Sequence, residues 1–187
     1  MTKVSEKKVK KRKWYEILSK DFNNVVLGEI ITKDPNSVLN RTLKVNLGNL
    51  TRDIKLQNVD IVFRITKFEE DKFYTEIYGY GLNSSYVKRI IKSTKTKIDD
   101  SFVCTSKDGI KVRIKPLILT RNNVNRSIIT SLIKKNRELF NDHVSKKDYK
   151  DFFKDLSDKK LCIELKKTMS KIYPLSVFEV RVMRRLG

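Results

Sequence analysis

A chain of 187 residues, 39% of them hydrophobic, is long enough to bury one sizeable core, and no window approaches the roughly 18 apolar residues of a membrane span. With 42 Lys and Arg against 22 Asp and Glu its formal charge is +20, an imbalance that opposes compaction and is relieved when a polyanion neutralises it. Nucleic acid is the leading polyanion, through counterion release from phosphates; the rival, an acidic membrane surface, needs a basic amphipathic helix with exposed large apolar residues, and no segment has that pattern.

Seven Lys or Arg fall within the first thirteen residues, opposed only by Glu6. Residues 1–13 therefore read as a basic arm, disordered until bound. No apolar stretch follows the basic run, so it is not a secretory signal. Residues 14–187 read as a single folded domain: 14–120 mainly antiparallel sheet with one short helix, 121–173 helices, and 174–187 a final strand with a basic tail. Trp14 and Tyr15 either dock the arm onto the core or stack on bases. "NNVVLGEIIT" is β-rich and "DPNS" at 34–37 is a turn. In "RTLKVNLGNL" the alternation of Leu43, Val45 and Leu47 with polar residues predicts a half-buried strand.

The clearest hairpin is "VDIVFRITKF-EEDK-FYTEIYGYG", with Ile61, Phe63 and Ile65 on one face and Phe73, Thr75 and Ile77 returning. "NSSYVKRIIKS" has Asn and Ser as caps and a short helical spacing. A second hairpin, "SFVCTSKDGIKVRIKPLIL", turns at Asp108-Gly109, where a positive φ is needed. Beyond the turn Ile110, Val112 and Ile114 point one way and Lys111, Arg113 and Lys115 the other, and Pro116 predicts a bulge or a sheet edge. After Thr120 the period becomes helical. Ile129, Leu132, Ile133 and Phe140 form one stripe. Ser145 to Asp148 reads as a capping box before Tyr149, Phe152, Phe153 and Leu156, and Leu161, Leu165, Met169 and Ile172 form the last stripe. Pro174 ends the helices, and "VFEVRVMRR" is a strand with Phe178, Val180 and Val182 inward. Strands, then helices, then one returning strand make the class α+β, with a curled, barrel-like antiparallel sheet.

Catalysis finds little support. His143, the only histidine, has no evident partner and reads as a surface or helix-end residue. No phosphate-binding loop, dinucleotide fingerprint or zinc-protease motif occurs. Asp99 with Asp100, and Glu69 to Asp71, read as solvated turns rather than metal ligands. Cys104 and Cys162 read as buried thiols of a cytosolic protein. No cofactor, metal or small-molecule substrate is expected.

Features suited to nucleic acid are better developed. The arm offers Lys7, Lys8, Lys10, Lys11, Arg12 and Lys13, ending at Trp14. Lys111, Arg113 and Lys115 make a cationic ladder on one strand face. It leads into "TRNNVNRS", where Arg121, Asn122, Asn123 and Arg126 combine planar forks for phosphate with amides for sugar or base edges, and no acid intervenes. Arg181, Arg184 and Arg185 close the chain. Charge spread over an arm, a strand, a loop and a tail suits a protein surrounded by RNA; a free-standing RNA- or DNA-binding regulator is the alternative, and an RNA-processing enzyme would need a carboxylate or His cluster that is not evident.

Several stretches together resemble the S3Ae (eS1) family of small-subunit ribosomal proteins shared by archaea and eukaryotes. "KKRKWYEI" is similar to its basic arm ending in K-K-W-Y, "TSKDGIKVRI" to its T-x-D-G-x-x-x-R hairpin, "TRNNVNRS" to its R-N-N-Q-I-R loop, and "IYPLSVFEVRVMRRL" to its I-Y-P-L and final basic strand. The family signature, L-x-G-R-V-x-E-x-S-L-x-D-L, falls on "VLNRTLKVNLGNL". Arg41, Leu47 and Leu50 are retained, whereas Asn40, Lys44, Asn46 and Asn49 replace its glycine, acid, serine and aspartate. The chain thus resembles a diverged member of the shorter, archaeal type. The resemblance implies a cytoplasmic structural protein of the small ribosomal subunit, on the platform near the mRNA exit. Its arm would thread into ribosomal RNA, its partners would be that RNA, neighbouring small-subunit proteins and exiting mRNA, and it would have neither a catalytic role nor a membrane partner.

Overall fold

The computed structural model describes residues 11–186. The fold is α+β, with nine strands hydrogen-bonded into one largely antiparallel sheet that stays open, five α-helices among the described residues, and a returning final strand. Two compact units share it: of the described residues, one holds those up to Val45 together with Phe63–Ile77, the other Asn46–Val62 with those from Tyr78 onward.

In the first unit regular structure begins earlier than the charge pattern suggests. Lys7, Lys8 and Lys10 lie outside the described residues, but Lys13 already opens strand β1, Lys13–Ser19. Alternation within β1 buries Tyr15 and Ile17, whereas Trp14 is 67% exposed. Tyr15, not Trp14, is the docking residue, its ring edge-on to Phe68 at 5.4 Å and to Phe73 at 5.7 Å. β1 pairs antiparallel with β2, Val25–Thr32. It pairs parallel with β5, Lys72–Leu82, a departure from the all-antiparallel expectation that the long intervening chain allows. β4, Val59–Glu69, turns into β5 through Glu70 and Asp71 alone. Both have positive φ, 51° and 58°, the geometry whose twist matches a two-residue hairpin. Ile65 and Phe73 pack with Tyr15, Ile17 and Val38 as the core of this unit.

The strand expected across 41–50 stops halfway. β3 is Thr42–Asn46, and Leu47–Thr51 is a short helix, α1. Asn46 is the cause: its Oδ1 accepts from Gly48 N at 3.0 Å, while its Nδ2 donates to Gln57 O at 2.7 Å and Asp60 Oδ1 at 3.1 Å. Asn is among the strong helix N-cap residues. Asn40, at the signature glycine, has φ 68°, a conformation that Asn tolerates better than most side chains.

In the second unit α2, Ser84–Ile90, is capped by Asn83, whose Oδ1 accepts from Ser85 N at 3.0 Å. A short strand that the sequence reading missed, β6, Lys97–Asp99, pairs with Leu117–Leu119. β7, Phe102–Thr105, and β8, Lys111–Thr120, form the expected hairpin, with Gly109 at φ 74°. Its tip is tied to the helices: Asp108 Oδ2 accepts from Tyr149 N at 3.1 Å, and Lys107 N donates to Lys147 O at 3.2 Å.

Three helices follow. α3 spans Arg126–Lys146 and buries Leu132, Asn136, Phe140 and Val144, every fourth residue, so Ile129 and Ile133 flank the stripe instead of forming it. Phe140 stacks on Phe178 with centroids 6.2 Å apart. The expected capping box does not form. α3 runs through Ser145, whose Oγ donates back to Asp142 O at 3.3 Å, and Asp148 makes no side-chain cap bond to α4, Tyr149–Ser157. The Tyr149, Phe152, Phe153 and Leu156 stripe is buried as expected. α5, Lys160–Met169, buries Leu161, Leu165 and Met169 but ends before Ile172, which is 44% exposed.

β9, Leu175–Leu186, returns beside β8; of the bulge or edge expected at Pro116 the bulge is found, and the expected inward face of the last strand is corrected. β8 is not an edge, since it pairs with β9 on one side and with β6 and β7 on the other. Pro116 is accommodated by position: β7 pairs β8 only through Ile114, β6 only from Leu117, and the β9 register slips there. A residue without an N–H therefore breaks no ladder bond. The slip places Lys115 opposite Val182 and Pro116 opposite Val180, leaving Arg181 as the extra residue of a bulge. Inward alternation changes phase across it, so Phe178 and Val180 are buried before the bulge and Met183, not Val182, after it.

Candidate nucleic-acid interface

The register of β8 with β9 and of β9 with β5 assembles residues that lie far apart in sequence. Lys111, Arg113 and Lys115 face away from the buried Val112 and Ile114. Opposite them on β9 are Leu186, Arg184 and Val182, and beyond those, on β5, Gly79 faces Arg184 and Gly81 faces Val182. The outer face thus has a cationic row, then an apolar–arginine–apolar row, then a glycine row. A Cβ at Gly79 would stand 2.8 Å from Met183 O and 3.3 Å from Arg184 Cγ, so only glycine lets β9 and the stem of Arg184 approach β5 this closely. A cleft of about 320 Å³ is lined by Tyr78, Arg113, Lys115, Val182, Arg184, Arg185 and Leu186, without a carboxylate. The sequence reading missed Tyr78 and the two glycines; the signal was the Tyr-Gly repeat in "YGYG", since glycine inside a strand marks a close approach.

The second basic group is the loop between β8 and α3. Arg121, Asn122, Asn123 and Arg126 are exposed, but their backbone is held. Arg121 N donates to Pro174 O at 3.1 Å, Val124 N to Thr96 Oγ1 at 3.1 Å, and Thr120 Oγ1 to Asn122 O at 2.6 Å. Arg121 lies eight positions beyond Arg113, just past the end of β8, roughly 25 Å along the strand direction. Cleft and loop are therefore two sites, although the sequence runs them together.

The remaining candidates are dispersed. Lys11, Arg12 and Lys13 are exposed at the start of β1, and Trp14 stands across from Ile31 on β2. Arg41 is exposed and ties its backbone O to Ile65 N at 2.9 Å. Arg181 is engaged within the protein, 3.6 Å from Asp99. Arg185 lines the cleft from the β9 side.

Asp99 and Asp100 are occupied structurally. Asp100 accepts from Arg137 through both oxygens, at 2.7 and 2.8 Å, and this hydrogen bonding holds its carboxyl below the usual range against the opposing effect of burial. Asp99 pairs with Lys97. His143 is half-buried in the last turn of α3. Cys104 and Cys162 are buried free thiols, both pushed up to about 11 by desolvation. A second pocket, of about 290 Å³, contains Glu179 and Tyr86. The Tyr86 hydroxyl donates to Glu179 Oε1 at 3.1 Å and is pushed up to about 12 by desolvation and by that carboxylate. Among the described residues, no three His, Cys, Asp or Glu converge as metal ligands.

Comparison with known proteins accords with this arrangement. The model of the Ribosomal S3Ae family matches residues 2–186. Over 180 residues the chain is 33% identical to the small ribosomal subunit protein eS1 of Sulfurisphaera tokodaii, covering 96% of this chain and 93% of that one. It is 31% identical over 173 residues to the eS1 protein of Nanoarchaeum equitans, covering 92% and 87%. With the eS1 protein of Methanothrix thermoacetophila it shares 26% identity over 175 residues, covering 93% and 83%.

Proposed function

The chain belongs to the Ribosomal S3Ae family, and from that premise we propose that it binds ribosomal RNA directly on the platform of the small subunit, near the mRNA exit. Members of this family are structural proteins of the cytoplasmic ribosome, and the chemistry described above is that of a scaffold. The observation carrying the RNA reading is the loop after β8: two arginines and two asparagines face solvent on a backbone anchored to Thr96, Thr120 and Pro174. A guanidinium on a held backbone offers a bidentate fork to phosphate or a plane to a base, whereas lysine offers a point charge. Neighbouring small-subunit proteins and exiting mRNA are the further partners of this reading.

Footprinting of small-subunit RNA with and without the protein tests the location; protection confined to regions away from the platform overturns it. Replacing Arg121 and Arg126 together by Lys tests the loop. Charge is kept, so loss of roughly 1–3 kcal/mol for ribosomal RNA with little change for random RNA is expected. Equal binding of variant and parent to both RNAs would reduce the loop to a solvated basic patch.

A further inference from the structure

We propose that Arg113 and Arg184 form a clamp that holds a single RNA phosphodiester between them. The inference rests on the RNA-binding reading and adds the position and stoichiometry of one contact.

Three observations carry it. First, Arg113 and Arg184 are direct cross-strand partners, with Cα atoms about 4.5–5.5 Å apart in any antiparallel ladder. Like charges in that relation repel and destabilise the pair, and among the described residues neither has a carboxylate partner. The arrangement becomes favourable when an anion lies between the two guanidinium groups. Second, the next residue in the same rung is Gly79, and a side chain there would collide with β9. Arg184 Cγ therefore packs directly over β5 at Gly79, which limits where its side chain can go. Third, the flanking residues on β9 are Val182 and Leu186, both lining the cleft; apolar neighbours lower the local dielectric and strengthen charge pairing within it.

An extended polyanion fits better than an isolated anion. Lys111 and Lys115 extend the cationic row on either side of Arg113, at intervals of about 6.7 Å along the strand. That interval is close to the spacing of successive phosphates on an RNA strand. The central phosphate would lie in the Arg113–Arg184 clamp, and its neighbours would face the two lysines.

The test is titration of the full-length protein with a small-subunit ribosomal RNA fragment at several salt concentrations, using Arg113→Gln, Arg184→Gln and the double variant. Both positions face solvent, so these variants are expected to fold; thermal melts check this. A shared phosphate predicts that either single variant weakens binding about tenfold, while the double variant loses little more. The double variant should lower the log–log salt slope by about 0.7–0.9, the value for one phosphate. Losses that multiply, with a slope change of about 1.4–1.8, would mean two independent contacts and overturn the clamp. Unchanged binding by the double variant, with the parent still bound, overturns the clamp and leaves the RNA reading standing. A parent that fails to bind ribosomal RNA overturns both. Polyglutamate is the control polyanion: competition as strong as that of RNA would make the cleft an acidic-peptide site instead.

Discussion

From Lys111 to Lys115 β8 has one buried face and one open cationic face, whereas from Pro116 to Thr120 every side chain is buried. The same strand, with the same partner on one side, is amphipathic over its first half and enclosed over its second. Its composition anticipates the change, since "KVRIK" alternates and "PLIL" is a continuous apolar run, the pattern of a strand covered on both faces. The lesson is a division of labour within one element: the enclosed half anchors the strand, and the anchored strand can then hold mutually repelling cations in register.

If that division is right, the largest effect belongs to the enclosed half. Leu117→Ala removes a side chain with no exposed surface and is expected to lower stability by about 2–5 kcal/mol in denaturant unfolding. A loss below about 1 kcal/mol would mean that this half tolerates a cavity and is not the anchor.

A smaller loss is expected where the β6–β7 connection is fastened to α3. Asp100→Asn removes the bidentate pair with Arg137 and should cost about 1–2 kcal/mol at neutral pH, because the arginine partner is half exposed. The sign with pH follows from the lowered carboxyl. The parent's advantage is fully present above the ordinary carboxylate range, near 3.9, and fades as pH falls through the lower folded value. Melts of both proteins from neutral pH down to about pH 2 check this; a difference that persists at the acid end would show that the pair acts through packing.

The smallest effect has the opposite sign. Arg113→Gln relieves the repulsion with Arg184 and should raise stability by about 0.2–0.5 kcal/mol, with the gain shrinking as salt screens the pair. A loss of stability would mean that Arg113 contributes packing and would erase the contrast between the two halves.

Much of this was legible in the sequence because it is local. The turn at Asp108-Gly109, the caps at Asn83, the outward Lys111, Arg113 and Lys115, and the aromatic stripe of α4 follow from periodicity and turn chemistry within a few residues. What failed was set at a distance. Met183 replaces Val182 in the core because a proline on the neighbouring strand imposes a slip. Of the bulge or edge expected at Pro116, the choice of bulge was likewise set by β9 returning to β8 from the end of the chain. Ser145 is no cap because α3 continues past it to meet the hairpin tip. The cleft was half legible: its cations were identified, but that Arg113 and Arg184 share a rung, and that Gly79 completes it, depends on pairing among three strands that no local window contains.

Arg181 also makes strand length a matter of parity. It adds one residue to β9 opposite Pro116, so residues on its two sides count inward positions by opposite rules, even before it and odd after. Exchanging Arg184 for another basic side chain leaves that count intact. Inserting or deleting one residue between Arg181 and Met183 does not, because it would exchange the inward and outward places of Met183 and Arg184. This stretch is therefore more tolerant of spelling changes than of changes in length, and the bulge is where its reading frame is set.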